Sequence, residues 1–246
     1  TIAIGAAYRA IAEGKIDIAV CGATELMANE LPYYMFHSLG ALCEKSDLPP
    51  AQQSRPFMLN RSGFVLSEGA ACLVLESEHH AQKRGAIPLG KVLGFHNHCE
   101  AQKITSSQRD GNKYAECMSA ALQDANLSPA DIDHVNTHGT STQVNDDCEA
   151  KALLQLFGSS LNKMTFTANK SAIGHSLAGS GAIEAVLSLE SLQRGLALPT
   201  LNYQSQEAIY PELRFLSEPL QQSIQYLMSN SFGFGGENSS LVLGKI

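Results

Sequence analysis

The amino-acid sequence predicts an α/β fold, and two features of the chain indicate that class. Short apolar runs of strand length alternate with segments whose apolar residues recur at helical spacing. Loops rich in Gly, Ser, Thr and His follow several of the predicted strands, as in α/β proteins whose chemistry lies at strand ends. The chain has 246 residues, of which 44% are hydrophobic, so it can bury a large core.

The chain opens on a predicted amphipathic helix that ends at Gly14. Because Thr1 already stands inside this helix, with no N-cap or preceding strand, we expect a longer protein. Residues 16–21 and 71–76 are predominantly apolar runs. Such runs predict strands that are buried on both faces.

The middle of the chain continues the alternation of helices and strands. Residues 112–125 predict a helix, and residues 128–131 combine a hydroxyl, a proline and a carboxylate in the order typical of a helix start. A short strand then ends at Val135, and residues 146–157 predict the next helix.

The last third of the chain supplies the remaining elements. Residues 165–168 predict a strand, residues 181–194 a helix and residues 241–243 a final strand. Residues 48–54, which contain two consecutive prolines, form the clearest exposed loop.

Composition excludes several classes of function. The net charge of -7, with 17% charged residues, argues against a nucleic-acid surface. The six cysteines are scattered without a CxxC pair, which favours reduced thiols, and Cys21 and Cys72 are expected in buried strands. The sequence contains neither a run of membrane-spanning length nor a signal-peptide pattern, so we expect a cytoplasmic protein without membrane contact.

Three polar motifs carry the candidate chemistry. They are NTHGTST at residues 136–142, NKSAIGH at residues 169–175 and NSFGFGG at residues 230–236. A single histidine in a turn is more often structural than catalytic, but His138 and His175 both follow predicted strands among small polar residues. Lys170 adds a positive charge that can orient an imidazole or favour negative charge on a substrate.

The glycines at positions 233, 235 and 236 are too many for an ordinary strand. They allow positive φ and close approach, so a backbone N–H can point at a developing oxyanion while an aromatic ring covers the pocket. The structural alternative is a β-bulge or tight turn, which leaves the presence of three such motifs in one chain unexplained.

These three motifs resemble those of the β-ketoacyl-acyl-carrier-protein synthases, the condensing enzymes of fatty acid and polyketide synthesis. The resemblance extends to AVCGATEL at 19–26 and SRPFMLNRSGFVLSE at 54–68, and it is closest to the elongating Cys-His-His synthases. It implies a thiolase-like, five-layered α/β/α/β/α fold and a homodimer. Residues 1–85 would form the end of the N-terminal half, and residues 86–246 the C-terminal half.

The resemblance also implies residue roles. His138 and His175 would bind the thioester carbonyl of malonyl-carrier and assist decarboxylation, with Lys170 in the same network and tied to Glu149. The N–H of Phe234 would form half of an oxyanion hole, and its ring a gate. The implied substrate-binding residues, which contact the phosphopantetheine arm or line the pocket, are Thr140, Thr142, Thr105, Ser106 and Phe232.

The acyl-carrying cysteine of this family is missing from the motifs. It should lie about four residues before Thr1, and none of the six cysteines fits that position. We therefore predict that the 246-residue chain forms no acyl-enzyme, a prediction that intact-mass spectrometry tests. The chain also departs from the family's usual residues at Gln143, Asn145, Met58, Ser62 and Asn169.

The expected partner is an acyl carrier protein bearing acyl and malonyl groups on phosphopantetheine. Because the family's carriers are acidic, docking should use basic residues, and the candidates are Arg55, Arg61, Lys83, Arg84 and Lys103. No metal or organic cofactor is implied. Two alternatives stay open: a non-catalytic chain-length factor that pairs with a synthase, and a thiolase, which would need a second cysteine near residues 232–236.

Overall fold

The computed structural model describes residues 1–44, 47–105 and 107–246. The strands of this part of the chain are β1 (Ile18–Glu25), β2 (Gly69–Glu76), β3 (Lys91–Cys99), β4 (His134–Asn136), β5 (Thr165–Thr167), β6 (Leu196–Ala197), β7 (Leu220–Gln221), β8 (Tyr226–Phe232) and β9 (Glu237–Gly244). The α-helices are α1 (Ile2–Ala12), α2 (Glu30–Ser38), α3 (Glu78–Lys83), α4 (Asn112–Asp124), α5 (Gln143–Phe157), α6 (Lys170–Ile173) and α7 (Ser180–Arg194).

A five-stranded mixed sheet organises the molecule, with the strand order β3-β9-β8-β4-β5. Strand β4 runs parallel to both β8 and β5, whereas β9 is antiparallel to β3 and β8. The carboxyl ends of β8, β4 and β5 therefore meet at one edge of the sheet. The loops that follow these three strands carry the three polar motifs, so the sheet topology places the motifs side by side.

Each face of this sheet has its own hydrophobic cluster, because alternate residues of a strand point to opposite faces. On β8, Met228 belongs to one cluster and Leu227 to the other. The Met228 cluster includes Met118 of α4 and Leu153 of α5, and the Leu227 cluster includes residues of α1 and α7. The sheet is thus sandwiched between two helical layers, as the predicted α/β class requires.

Strands β1 and β2 form a separate two-stranded antiparallel ribbon. The prediction that both faces of these strands are buried is wrong: Val20 is 73% exposed and Val74 is 58% exposed. Cys21 is buried, but Cys72 is exposed. Helices α1 and α7 pack on the ribbon, so the side chains that point away from those helices lack cover within the described residues.

Most predicted elements lie close to their expected positions. Helix α4 matches the predicted 112–125, and α5 begins three residues earlier than the predicted 146, directly after Thr142. Residues 129–131 form a single 3-10 turn in which the Asp131 carboxylate accepts the Ser128 N–H at 2.7 Å. Strand β9 is longer than the predicted 241–243. No helix of the described residues is long and apolar enough to cross a membrane.

Candidate active site

The edge where β8, β4 and β5 end opens into a cavity of about 460 Å³. Its walls include His138, His175 and Phe232 from the three motifs, together with the first turn of α1. The motifs therefore surround one cavity, and this placement follows from the parallel pairing of β4 with both neighbours.

His138 is buried, and Lys170 fixes its orientation. The Lys170 ammonium lies 3.3 Å from His138 Nδ1 and donates to the His138 carbonyl oxygen at 2.7 Å. Because an ammonium group can only donate, Nδ1 must act as the acceptor. The neutral imidazole therefore carries its hydrogen on Nε2.

His175 is held in the same tautomer by different partners. The backbone N–H of Leu177 donates to His175 Nδ1 at 3.2 Å, and the Ser180 hydroxyl lies 3.1 Å from the same nitrogen. A backbone N–H is a donor, so Nδ1 accepts here too and Nε2 carries the hydrogen. The ring also contacts Phe64 edge-on, with 4.9 Å between ring centroids.

Both imidazoles are neutral near physiological pH. Burial, together with the positive charge of Lys170, lowers the pKa of His138 and of His175 well below the ordinary value of 6.5. The two rings are nearly perpendicular, with centroids 5.5 Å apart. The site thus holds two adjacent neutral Nε2–H donors in one cavity.

The carboxylate that neutralises Lys170 is Glu184 of α7, at 2.7 Å, and both side chains are buried. The expected direct contact between Lys170 and Glu149 is therefore wrong. Glu149 instead accepts the backbone N–H groups of His138 and Gly139 at 2.8 and 2.9 Å, which holds the NTHGTST loop in place. Burial raises the pKa of Glu149 to about 7.

The glycine-rich motif forms a 3-10 turn over residues 234–236, with φ of 82° at Gly235 and 74° at Gly236. The N–H of Gly235 donates to the Ile104 carbonyl at 2.6 Å. Among the described residues, no acceptor is found for the N–H of Phe234. The Phe234 ring lines the cavity, is 50% exposed and stacks on Phe36 with centroids 6.4 Å apart.

The expected substrate-binding residues share the cavity as far as the structure describes them. Thr140 and Thr142 line it with their hydroxyl oxygens 2.9 Å apart, and Thr105 lines it from the loop after β3. The Phe232 ring lies 6.1 Å from that of His138. Ser106 lies outside the described residues.

Two of the five basic residues expected to dock a carrier are buried, which makes that part of the expectation wrong. Arg61 is 7% exposed and donates to the carbonyls of Thr142 and Gln143 at 3.2 and 2.8 Å. Arg55 is equally buried. Arg84 is paired with Glu76 on the ribbon, while Lys83 and Lys103 remain exposed.

No cysteine lines this cavity among the described residues. Burial raises the pKa of Cys148 to about 11 and that of Cys117 to about 12, the opposite of what a nucleophilic thiol needs. The first turn of α1, an 11-residue helix, does line the cavity. This is the helix whose N-terminus the resemblance associates with the nucleophile.

Two residues of the site were not predicted from the sequence. Glu184 could have been noticed, because it is the one carboxylate in the apolar segment GAIEAVL of α7. A carboxylate that is buried in such a segment needs a partner, for which a buried cation is the obvious candidate. Tyr114 also lines the cavity. Tyr114 recurs at the helical spacing typical of core residues, so nothing in the sequence distinguishes it as a residue of the cavity.

The fold places the chain in the class of α/β proteins with the thiolase-like fold, and solved ketosynthases share it. A ketosynthase solved with its type II polyketide acyl-carrier protein has a TM-score of 0.95 and 32% identity over 99% of this chain and 60% of its own. A β-ketoacyl synthase from Burkholderia phymatum has a TM-score of 0.89 and 36% identity over 100% of this chain and 59% of its own.

Residues 1–81 match the family described as "Beta-ketoacyl synthase, N-terminal domain", and residues 89–204 match "Beta-ketoacyl synthase, C-terminal domain". The chain belongs to the β-ketoacyl synthase family, which confirms the resemblance read from the motifs. A 3-oxoacyl-acyl-carrier-protein synthase 2 of Coxiella burnetii is 37% identical over 99% of this chain and 58% of its own length. A mitochondrial 3-oxoacyl-acyl-carrier-protein synthase of Arabidopsis thaliana is 38% identical over 99% of this chain and 53% of its own. The chain thus spans a little over half the length of these relatives.

Proposed function

We propose that this chain supplies the His/His/Lys side of the active site of a β-ketoacyl-acyl-carrier-protein synthase. The reaction is the decarboxylative Claisen condensation of malonyl-carrier with an acyl thioester. The observation that carries the proposal is the pair of neutral imidazoles that share one cavity, each with Nδ1 engaged elsewhere. Two Nε2–H donors suit an oxygen on which negative charge develops.

In the first step, the bond between the malonyl α-carbon and its carboxylate breaks and carbon dioxide leaves. The electron pair passes into the thioester, giving an enolate whose oxygen accepts hydrogen bonds from Nε2 of His138 and His175. The depressed pKa of both rings keeps them neutral donors, so neither has to lose a proton before the reaction. Lys170, neutralised by Glu184, holds the ring of His138.

In the second step, the α-carbon of the enolate attacks the carbonyl of the acyl thioester, and the thiolate leaves. The tetrahedral oxyanion would be stabilised by the N–H of Phe234. Support comes from that N–H having no acceptor among the described residues. The acyl group would be held by a cysteine upstream of α1, whose first turn lines the cavity.

The proposed substrate donor is an acyl carrier protein, and one structural relative is a ketosynthase solved with its acyl-carrier protein. Thr140, Thr142, Thr105 and Ser106 would contact the phosphopantetheine arm, and Phe232 would line its path. Lys83 and Lys103 are the exposed candidates for carrier docking. The proposal also includes a homodimer, a cytoplasmic location and two thiolase-like halves, which comprise residues 1–85 and residues 86–246.

A second candidate function is that of a chain-length factor, the non-catalytic partner of a ketosynthase. Two structural relatives come from such pairs: the ishigamide ketosynthase/chain length factor, with 31% identity and a TM-score of 0.89, and a ketosynthase of Xenorhabdus doucetiae solved with its chain length factor, with 29% identity and a TM-score of 0.82. A partner without chemistry has no need for oriented His138, His175 and Lys170 together, which favours the catalytic function.

The experiment is a malonyl-carrier decarboxylation assay on the protein encoded by the complete gene. We expect His138→Ala and His175→Ala each to reduce the rate by about 10²- to 10⁴-fold, the usual loss on removing a catalytic donor. His79→Ala is the matched control, because His79 is exposed and lies far from the motifs in sequence. Rates equal to those of the control would refute the proposed roles.

A further inference from the structure

Tyr114 of α4 lies one aromatic ring away from His138. Its ring is 3% exposed and stacks on Phe232, with centroids 3.8 Å apart and an interplanar angle of 22°. Phe232 in turn contacts the His138 ring edge-on at 6.1 Å and 66°. All three side chains line the same cavity. Tyr114 therefore packs behind the residue that supports the imidazole.

The hydroxyl of Tyr114 is fixed from two sides. It donates to Asn145 Oδ1 at 3.2 Å, and the Ser107 hydroxyl lies 2.8 Å away. A phenol has one hydrogen, so Ser107 must donate to the Tyr114 oxygen. Burial holds the pKa of Tyr114 well above 10, which keeps this hydrogen in place at any working pH.

Asn145 is itself oriented by the chain around it. It stands in the first turn of α5, directly after the loop that carries His138, and its amide donates to Asp146 Oδ1 at 3.2 Å. The other oxygen of Asp146 accepts the N–H of Phe57 at 2.9 Å. Tyr114 consequently connects α4, the loop after β3 and the start of α5, three segments that wall the cavity.

We propose that Tyr114 is a positioning residue for His138, acting through Phe232, and that Asn145 and Ser107 set the angle of its ring. The inference rests on the proposed function of His138. Losing the stack would let Phe232 tilt and His138 drift from the enolate oxygen. Misplacement of a donor weakens binding of the transition state more than binding of the substrate, so kcat falls while KM is retained.

The kinetic test compares Tyr114→Phe and Tyr114→Leu in the protein encoded by the complete gene. We expect kcat for malonyl-carrier decarboxylation to fall about threefold in Tyr114→Phe and about 30-fold in Tyr114→Leu, with KM within about twofold of wild type. Tyr203→Leu is the matched control, because Tyr203 is a buried tyrosine that packs on Phe215 outside the cavity. A loss of stability without loss of kcat is expected there.

A double-mutant cycle tests the route through Phe232. If Tyr114 acts through that ring, Tyr114→Leu should cause little further loss of kcat in a Phe232→Leu background. Independent, multiplicative losses would overturn the inference, as would a wild-type kcat in Tyr114→Leu. If His138→Ala leaves the decarboxylation rate unchanged, the proposed function fails instead.

A spectroscopic measurement that does not need turnover further separates failure of the positioning role of Tyr114 from failure of the proposed function of His138. In ¹⁵N-resolved spectra, we expect the His138 Nε2 resonance to shift in Tyr114→Leu and to stay in place in Tyr203→Leu. An unshifted His138 resonance in Tyr114→Leu would overturn the positioning role, whatever the activity of the protein.

Discussion

The five-stranded sheet and the β1–β2 ribbon have similar apolar strands but very different surroundings. On β9, every residue from Asn238 to Gly244 is buried, whereas Val20 on β1 is 73% exposed. The sheet has helices and clusters on both faces, while the ribbon is covered by α1 and α7 on one side. An apolar run therefore predicts a strand, but the burial of that strand depends on which layers pack against it.

The largest expected difference between the two regions is the loss of stability when an ion pair is broken. Lys170→Met should destabilise the protein by about 3–5 kcal/mol, because it leaves Glu184 buried without a partner. Chemical denaturation measures the loss. Next to the ribbon, Arg84→Ala breaks the pair with Glu76 of β2, and we expect a much smaller loss because the arginine is half-exposed.

The double variant Lys170→Met with Glu184→Leu serves as the internal control. Removing both charges eliminates the unpaired carboxylate, so a substantial part of the stability should return. If Lys170→Met alone is as stable as wild type, the pair is not buried in solution and the contrast with the ribbon is lost.

The next largest effect is a pH dependence of folding stability, which we assign to His134 of β4 in the five-stranded sheet. Burial lowers the pKa of His134 from 6.5 to about 4 in the folded state. As the pH falls from 6.5 towards 4, the unfolded chain takes up a proton that the folded chain does not, so stability falls by about 3 kcal/mol at most. Denaturation curves at several pH values should show a smaller loss in His134→Asn than in wild type. Equal losses in both proteins would contradict the assignment, and His79→Asn is the exposed control.

The smallest effect compares two valines directly. Val242→Ala in β9 should cost about 2 kcal/mol, since the side chain is fully buried, whereas Val20→Ala in β1 should change stability by less than about 0.5 kcal/mol. Thermal or urea denaturation measures both. Equal losses would show that the outer face of the ribbon is covered in solution, and would remove the distinction between the two regions.

Much of the site could be read from the chain because its residues come in compact motifs. The positions of His138, His175, Lys170 and Phe234 follow from three short segments next to predicted strands, and the structure places all three segments at one cavity. The pairing of Lys170 could not be read in this way. Two carboxylates, Glu149 and Glu184, were available in sequence, and only the packing of α5 and α7 decides which one reaches the ammonium group.

Surface exposure was the other property that the chain alone left undecided. Arg55 and Arg61 carry the positive charge expected of docking residues, yet both are buried. Arg61 donates to backbone carbonyls at the end of the NTHGTST loop. A charged side chain is stable in the interior only when partners satisfy it. For Arg61, the acceptors Thr142 and Gln143 lie 81 and 82 residues further along the chain, and no local pattern reveals such distant partners.

Local properties of the chain, namely its periodicity, its loop composition and its short motifs, were enough to predict the α/β class, the family and the residues of the three motifs. The folded structure was needed to show the tautomers of His138 and His175, the partner of Lys170 and the contact of Tyr114 with Phe232. Each of these depends on atoms brought together from distant segments by the order and direction of the strands.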